Sequence, residues 1–335
     1  MPSPTVEVLG DHEGGAILAA LIQTDDSGVA LIERDGTIAW AVESTEKTIP
    51  SWVQFLDDDH VIHNEHYRNR NSSGGAVVLT TLSTGEVVET RAPFLHHTGL
   101  VSGDTVAYVK AEFRELEWEG ELQSVASDAL VLRNLGDEDG EGKRLYSFFE
   151  DWGGDLFKPC RHFDNFVYYS DKLDWTHSNS LVELPDHWVM EARHWDALLG
   201  INKASGEVDW ILGGDFGDWS RGPDSAVWSH PHVSQMTEEV LVTFDNGDHR
   251  EPRKSRAVVY DLDLDAKTYT ERFRIGEEDG QFLPLLGDAQ LLPGGNLLIS
   301  WSELGRVDEY TPEGELVWRM ELPLGTVVGR VDHRP

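Results

Sequence analysis

Cysteine is almost missing from this 335-residue chain, basic side chains are outnumbered more than two to one by acidic ones, and no long apolar run occurs. Each scarcity excludes something. The single cysteine, Cys160, leaves no partner for an internal disulfide and rules out a cysteine-rich metal site, so the role of a small, buried or half-buried apolar residue is expected of it. With 61 acidic against 27 basic residues, a formal net charge of -34 and a pI near 4.6, the chain repels nucleic acid and anionic membranes. Neither is an expected partner. The acidic residues are spread in short clusters (Asp57 to Asp59, Asp137 to Glu141, Glu277 to Asp279), a pattern resembling the solvated surface of a halophilic protein from a high-salt cytoplasm. The N-terminal stretch has no basic segment followed by an apolar one, and nothing matches a membrane-spanning helix. A soluble, cytoplasmic protein is expected, unless the chain is trimmed from a longer exported precursor.

Helical periodicity is also nearly absent, and what stands in its place is repetition. Short apolar strands rich in Val, Leu, Ile, Tyr and Trp alternate with turns such as Asp35-Gly36, Thr84-Gly85 and Ser205-Gly206. Six units are legible: Ile17 to Glu43, Trp52 to Pro93, His96 to Trp152, Asp174 to Gly214, His230 to Ile275 and Gly287 to Leu324. A period of roughly 40 to 55 residues without helices is that of a β-propeller, one four-stranded sheet per blade. The expectation is a single all-β domain over residues 1–335, a six-bladed propeller with seven blades as the fallback. The first unit is short, and its missing strand is expected from the other end of the chain.

In a propeller the start of each unit lies near the central axis. Alignment of the units puts His97, His177, His232 and Gly287 at about the same register. One histidine alone is most often a satisfied rim or core residue; three at one repeat position point to a shared pocket. Neutral imidazoles could ligate Zn, Cu or Fe, but no carboxylate or cysteine is consistently placed beside them, and Arg193 would repel a cation. Arg193 and Asn179 supply donors suited to the oxygens of a sulfate, phosphate or carboxylate. An anion-handling pocket is therefore preferred, with no metal and no cofactor.

The stretches THSNSLVELPDHWVMEAR, INKASGEVDWILGG, HPHVSQMTEEVLVTFDNG and GDAQLLPGGNLLISWSELGRVDEY resemble the arylsulfotransferase (arylsulfate sulfotransferase, ASST-type) family, over roughly His96 to Trp318. The resemblance implies a six-bladed propeller that moves a sulfuryl group from an aryl sulfate donor to a phenolic acceptor, without the nucleotide donor PAPS, through a sulfohistidine. It places the nucleophile on His232, with His230 competing; the His-x-Asn pair on His177 and Asn179; the sulfate-binding arginine on Arg193; and the remaining histidine on His97, with His96 competing. The acidic residue usual after the histidine is replaced by Val233 and, in the earlier unit, Thr98. The implied mechanism is ping-pong transfer, with a protonated His97 or His177 assisting the leaving phenolate.

Other features have a bland reading beside a functional one. The run HVIHNEHYRNRN, with His60, His63, His66, Arg68 and Arg70, reads as a loop in preference to a gate over the pocket. Arg161 and His162, next to Cys160, could line the same mouth. Asp245 to Asp248 reads as a tight turn in preference to a calcium loop. Trp175, Trp195 and Trp228 pack between blades or stack on an aromatic substrate. Two rival functions are a non-catalytic propeller binding a ligand or protein and a quinoprotein-like propeller.

Overall fold

The computed structural model describes residues 3–24, 26–68, 73–139, 142–153, 160, 169, 171–276 and 280–335. Its strands form six sheets, each built on four antiparallel strands and arranged as the blades of a propeller. The six units of the sequence are those six blades. Their innermost strands are Val327–Arg334 (blade 1), Thr48–Phe55 (blade 2), Leu95–Ser102 (blade 3), Ser180–Glu183 (blade 4), Pro231–Met236 (blade 5) and Asp288–Leu291 (blade 6).

Blade 1 is completed from the far end of the chain. Val327–Arg334 pairs antiparallel with Ala16–Ile22, from Ala16 opposite Arg334 to Ile22 opposite Val327, with a one-residue register shift between Ala19 and Leu21. The opposite exchange occurs in blade 6, where Thr5–Val8 adds an outer strand along Leu316–Glu321. Both junctions leave no unpaired strand edge between the ends of the ring, which is how a closed array avoids exposing one.

The apolar core is divided into wedges between neighbouring blades. Ile17, Ala30, Trp318 and Val331 fill the wedge between blades 6 and 1; Leu18, Val29, Val53 and Val61 fill that between 1 and 2; Trp210, Trp228, Leu241 and Tyr260 fill that between 4 and 5. No blade could bury its faces alone. Trp175 and Trp228 belong to these wedges, at 1% and 2% exposure, and Trp195 packs on Trp152, Phe148 and Phe216. All three are packing residues.

Polar ties cross the same seams. The Arg34–Glu309 ion pair, with the guanidinium stacked 3.8 Å over Trp318, joins blade 1 to blade 6. Asp332 accepts from the Phe55 backbone N–H at 2.7 Å and from Gln290 at 2.9 Å, so the closing strand is held from both sides.

The closing strand buries Val328 and Val331 completely, and each such side chain contributes about 1.5–3 kcal/mol of apolar burial. Deleting residues 327–335 is expected to abolish the cooperative thermal transition, whereas deleting residues 1–8 lowers the melting temperature and leaves the transition cooperative. Circular dichroism melts of the two truncations decide this, and a wild-type-like melt without 327–335 would show that closure is dispensable.

Candidate active site

The inner strands of blades 3, 4 and 5 are entered through a kink. His97, His177 and His230 have φ values of 60°, 50° and 49°, in the left-handed region that disfavours a side chain by about 1–3 kcal/mol. Such kinks re-aim side chains at strand ends. The His97 kink is held in place by its own carbonyl, which accepts from Ser51 Oγ at 2.6 Å and Asn64 Nδ2 at 3.2 Å. By backbone conformation it is His230, not His232, that matches His97 and His177; His232 lies two residues on, where blade 4 has Asn179. Blade 6 has Gly287 at φ 100°, and a Cβ there would lie 2.2 Å from the Phe244 ring. Only glycine fits.

These kinks bring the side chains to one cavity of about 480 Å³, lined by His97, His177, His232 and Arg193 together with His66, Arg68 and Glu303. Ile22, Ile49, Leu285, Leu286 and Val327 form an apolar collar around it. His97 Nε2 and His177 Nε2 are 3.3 Å apart, and the His97 and His232 rings meet edge to face at 5.5 Å. Of the residues expected from the sequence, four converge on the cavity. Asn179 does not line it: it is buried behind the wall, donating to the Pro231 carbonyl at 3.2 Å. His96 and His230, the competing choices, also lie behind, so the geometry favours His97 and His232 as the residues facing the cavity.

Protonation follows from the partners. His232 Nδ1 is 3.1 Å from the Gly287 carbonyl oxygen, which can only accept, so Nδ1 carries the proton and Nε2 keeps its lone pair. Burial, with the Arg193 charge adding to it, pulls His232 down to about 3 against the raising effect of that bond. His177 is also held well below the usual histidine range by burial and by the surrounding His96, His97, His194 and Arg193. Its Nδ1 lies 2.5 Å from Asp174 Oδ2, and burial, reinforced by Asp128, pushes the Asp174 carboxyl well up. Burial thus favours the uncharged form of both Asp174 and His177 over a separated ion pair. The Arg193 guanidinium, 1% exposed, donates to Asp248 Oδ2 at 3.0 Å and to the Pro284 carbonyl at 2.9 Å.

Several residues of the site had little or no sequence signal. Asp128 holds His96 at 2.6 Å, the Thr176 hydroxyl at 2.7 Å and the Ser178 N–H at 2.6 Å, yet it belongs to a neighbouring strand of blade 3. Asp174, three residues before His177, could have been found from its spacing. Carboxylates thus do stand beside the histidines, contrary to the expectation from sequence. His60–Tyr67 is a strand of blade 2 instead of the expected loop, and it carries His66 to the cavity. Asp245 pairs with Arg250 and Arg256, and Asp248 with Arg193 and His230, so guanidinium and imidazole groups occupy these carboxylates. Arg70, Arg161 and His162 lie outside the described residues.

The arylsulfotransferase (ASST) family model matches residues 161–322. Across that stretch, just under half of the chain, the sequence is similar to the arylsulfotransferase family. The matched residues include His177, Asn179, Arg193 and His232, whereas His97 precedes them. No curated protein sequence matches the chain. Among solved structures, a periplasmic gluconolactonase of Pseudomonas aeruginosa is similar at 11% identity over 96% of this chain and 99% of that one, with a TM-score of 0.53. A protein of unknown function from Bacteroides caccae is similar at 11% identity over 95% and 98%, with a TM-score of 0.49. The gluconolactonase likeness shows the propeller fold alone. No helix among the described residues is long and apolar enough to cross a membrane.

Asp248 serves two buried donors at once, Arg193 and His230. Asp248→Ala is expected to destabilise the fold by about 3–5 kcal/mol, the usual cost of breaking a buried pair, as measured by urea denaturation. A loss under about 1 kcal/mol would mean that the Pro284 carbonyl alone satisfies the guanidinium.

Proposed function

We propose that this chain is an aryl sulfotransferase that moves a sulfuryl group between phenolic compounds without PAPS, through a sulfohistidine on His232. The observation that carries the reading is the position of His232: it faces a cavity shared with Arg193 and His97, its Nδ1 proton is committed to Gly287, and its neutral Nε2 is left as the nucleophile. The arylsulfotransferase match over residues 161–322 supports the same class.

In the proposed first half-reaction Nε2 attacks sulfur in line, the N–S bond forms, and the S–O bond to the aryl group breaks with its electron pair leaving on the phenolate. The ring becomes an N-sulfoimidazolium whose Nδ1–H strengthens its bond to Gly287. In the second half-reaction a phenol oxygen attacks sulfur, its proton is lost, and neutral His232 is regenerated. Arg193 holds the equatorial oxygens, whose charge grows little along the path, so positioning matters more than acid help. His97, whose ring meets that of His232 edge to face, is placed to approach the leaving oxygen. The collar of Ile22, Ile49, Leu285, Leu286 and Val327 suits the apolar faces of an aromatic ring. Glu303, a solvent-accessible carboxyl at the edge of the cavity whose pKa is raised by desolvation against the lowering effect of the Leu285 backbone N–H, is placed to take up the acceptor proton.

Incubation with 4-nitrophenyl sulfate and phenol in molar KCl, following 4-nitrophenol, tests the reading. The high salt offsets the repulsion between a chain of net charge -34 and an anionic ester. Acceptor-dependent release is expected in wild type, with a loss of about 10⁴-fold or more in His232→Ala and about 10²–10³-fold in Arg193→Ala. No release by folded wild type across several acceptors would reassign the cavity to binding alone.

The pH dependence is a separate check. A base whose pKa is lowered to about 3 is already unprotonated at every higher pH, so kcat/KM, which reports the free enzyme, should show no histidine inflection from His232 between about pH 5 and 8. A limb near the ordinary histidine value of about 6.5 that disappears in His97→Gln would move the essential base to His97.

A further inference from the structure

Beside the cavity, and outside its lining, a second group of side chains converges. Cys160 Sγ stands 3.0 Å from His230 Nε2 and 3.4 Å from His249 Nε2, and the three atoms lie within 4.8 Å of one another. The far nitrogen of each ring faces a carboxylate: His230 Nδ1 is 3.1 Å from Asp248 Oδ2, and His249 Nδ1 is 3.1 Å from Asp196 Oδ2. Asp196 also accepts the His230 backbone N–H at 2.6 Å, so one carboxylate steadies both histidines.

That wiring is how imidazoles are oriented toward a metal: the remote N–H is held by a carboxylate and the near nitrogen offers its lone pair. Zinc bonds of about 2.3 Å to sulfur and 2.0–2.1 Å to nitrogen, at a tetrahedral angle, set sulfur and nitrogen about 3.5 Å apart. The Cys160–His249 separation of 3.4 Å lies close to that value, and the Cys160–His230 separation of 3.0 Å is shorter by about half an ångström. A thiolate with two imidazoles suits zinc or copper and disfavours magnesium or calcium, which take oxygen donors. A Cys–His–Asp nucleophile arrangement would need one of the histidines only; here both, each with its own carboxylate, point at a single sulfur.

We propose that Cys160, His230 and His249 form a binding site for one first-row transition ion of the zinc class, with the fourth position open. The charges balance. A divalent ion and the Arg193 guanidinium face one thiolate and the carboxylates of Asp196 and Asp248. Asp248 links the two sites, since the same oxygen that receives His230 also receives Arg193. An ion on His230 therefore fixes the carboxylate that positions the arginine of the cavity wall. Nothing in this inference depends on the sulfuryl-transfer reading.

The test uses the full chain, stripped by a chelator and titrated with Co²⁺. One equivalent is expected to give thiolate-to-cobalt charge-transfer absorption in the near ultraviolet together with the visible bands of a four-coordinate ion, displaced by Zn²⁺. Cys160→Ser should remove the charge-transfer band, Asp196→Asn should weaken binding about 10–100-fold, and His97→Ala should leave the spectrum unchanged. Because Cys160 is the one thiol of the chain, a second measurement needs no variant: Zn²⁺ should slow its reaction with a thiol reagent. Absence of the band in wild type, or a thiol that Zn²⁺ does not protect, overturns the site. Binding that survives Cys160→Ser and is lost in His97→Ala would place the ion instead among His96, His97 and His177, which also lie within 4.8 Å.

Discussion

Closure of the ring is the constraint on which the other features depend. The pairing of Val327–Arg334 with Ala16–Ile22 fixes how many blades fit around the axis, and every wedge of core lies between two blades that this pairing keeps adjacent. With the circumference fixed, the inner strands have one place to begin. Their kinked openings, at His97, His177 and His230, then meet around the axis by geometry, although they are far apart in the chain. The Gly287 carbonyl that fixes the His232 tautomer comes from the next blade round, so the protonation state of the candidate nucleophile depends on the blade spacing.

The second organising term is the burial of these groups. Most histidines that line or back the cavity are buried, and five rings are tied to a neighbour of defined character: Asp128 for His96, Asp174 for His177, the Asp174 carbonyl for the partly buried His194, Asp248 for His230 and Gly287 for His232. In a low-dielectric interior an imidazole next to an arginine stays neutral, and Arg193 can remain charged beside the rings because Asp248 offsets it. The chain is thus acidic overall while its central cavity presents a cation and several neutral bases. A field of that shape has its positive spot where an anion would sit.

The repeat was legible because each unit carries its own strand and turn chemistry. Units such as Ile17 to Glu43, Asp174 to Gly214 and Gly287 to Leu324 became blades with little change, and even the missing strand of the first unit was anticipated. What the one-dimensional pattern could not carry was depth. His232 and His230 are two residues apart on one strand, and only the kink at His230 separates the ring that faces the cavity from the ring that turns toward Cys160. Asp128 was invisible because its partners, Thr176 and Ser178, are supplied by another blade. The strand His60–Tyr67 read as a loop because it is polar, yet Asn64 and His63 are buried. Asn64 is used there to hold the His97 carbonyl, and polarity in that strand marks a hydrogen-bonding duty instead of exposure. The lone cysteine was read as inert for the same reason: its histidine neighbours are distant in sequence.

The closing strand also sets the timing of folding. During synthesis the blades between residues 48 and 321 can pair within themselves as they emerge, but Ala16–Ile22, made before them, has no inner neighbour until Val327–Arg334 has been made. Blade 1 waits with an open apolar edge while the other five blades are made. A nascent chain of this kind is exposed to edge-to-edge association for longer than its finished fold would suggest, and the dense acidic surface, which keeps such chains apart by repulsion, is then most useful before the protein is complete.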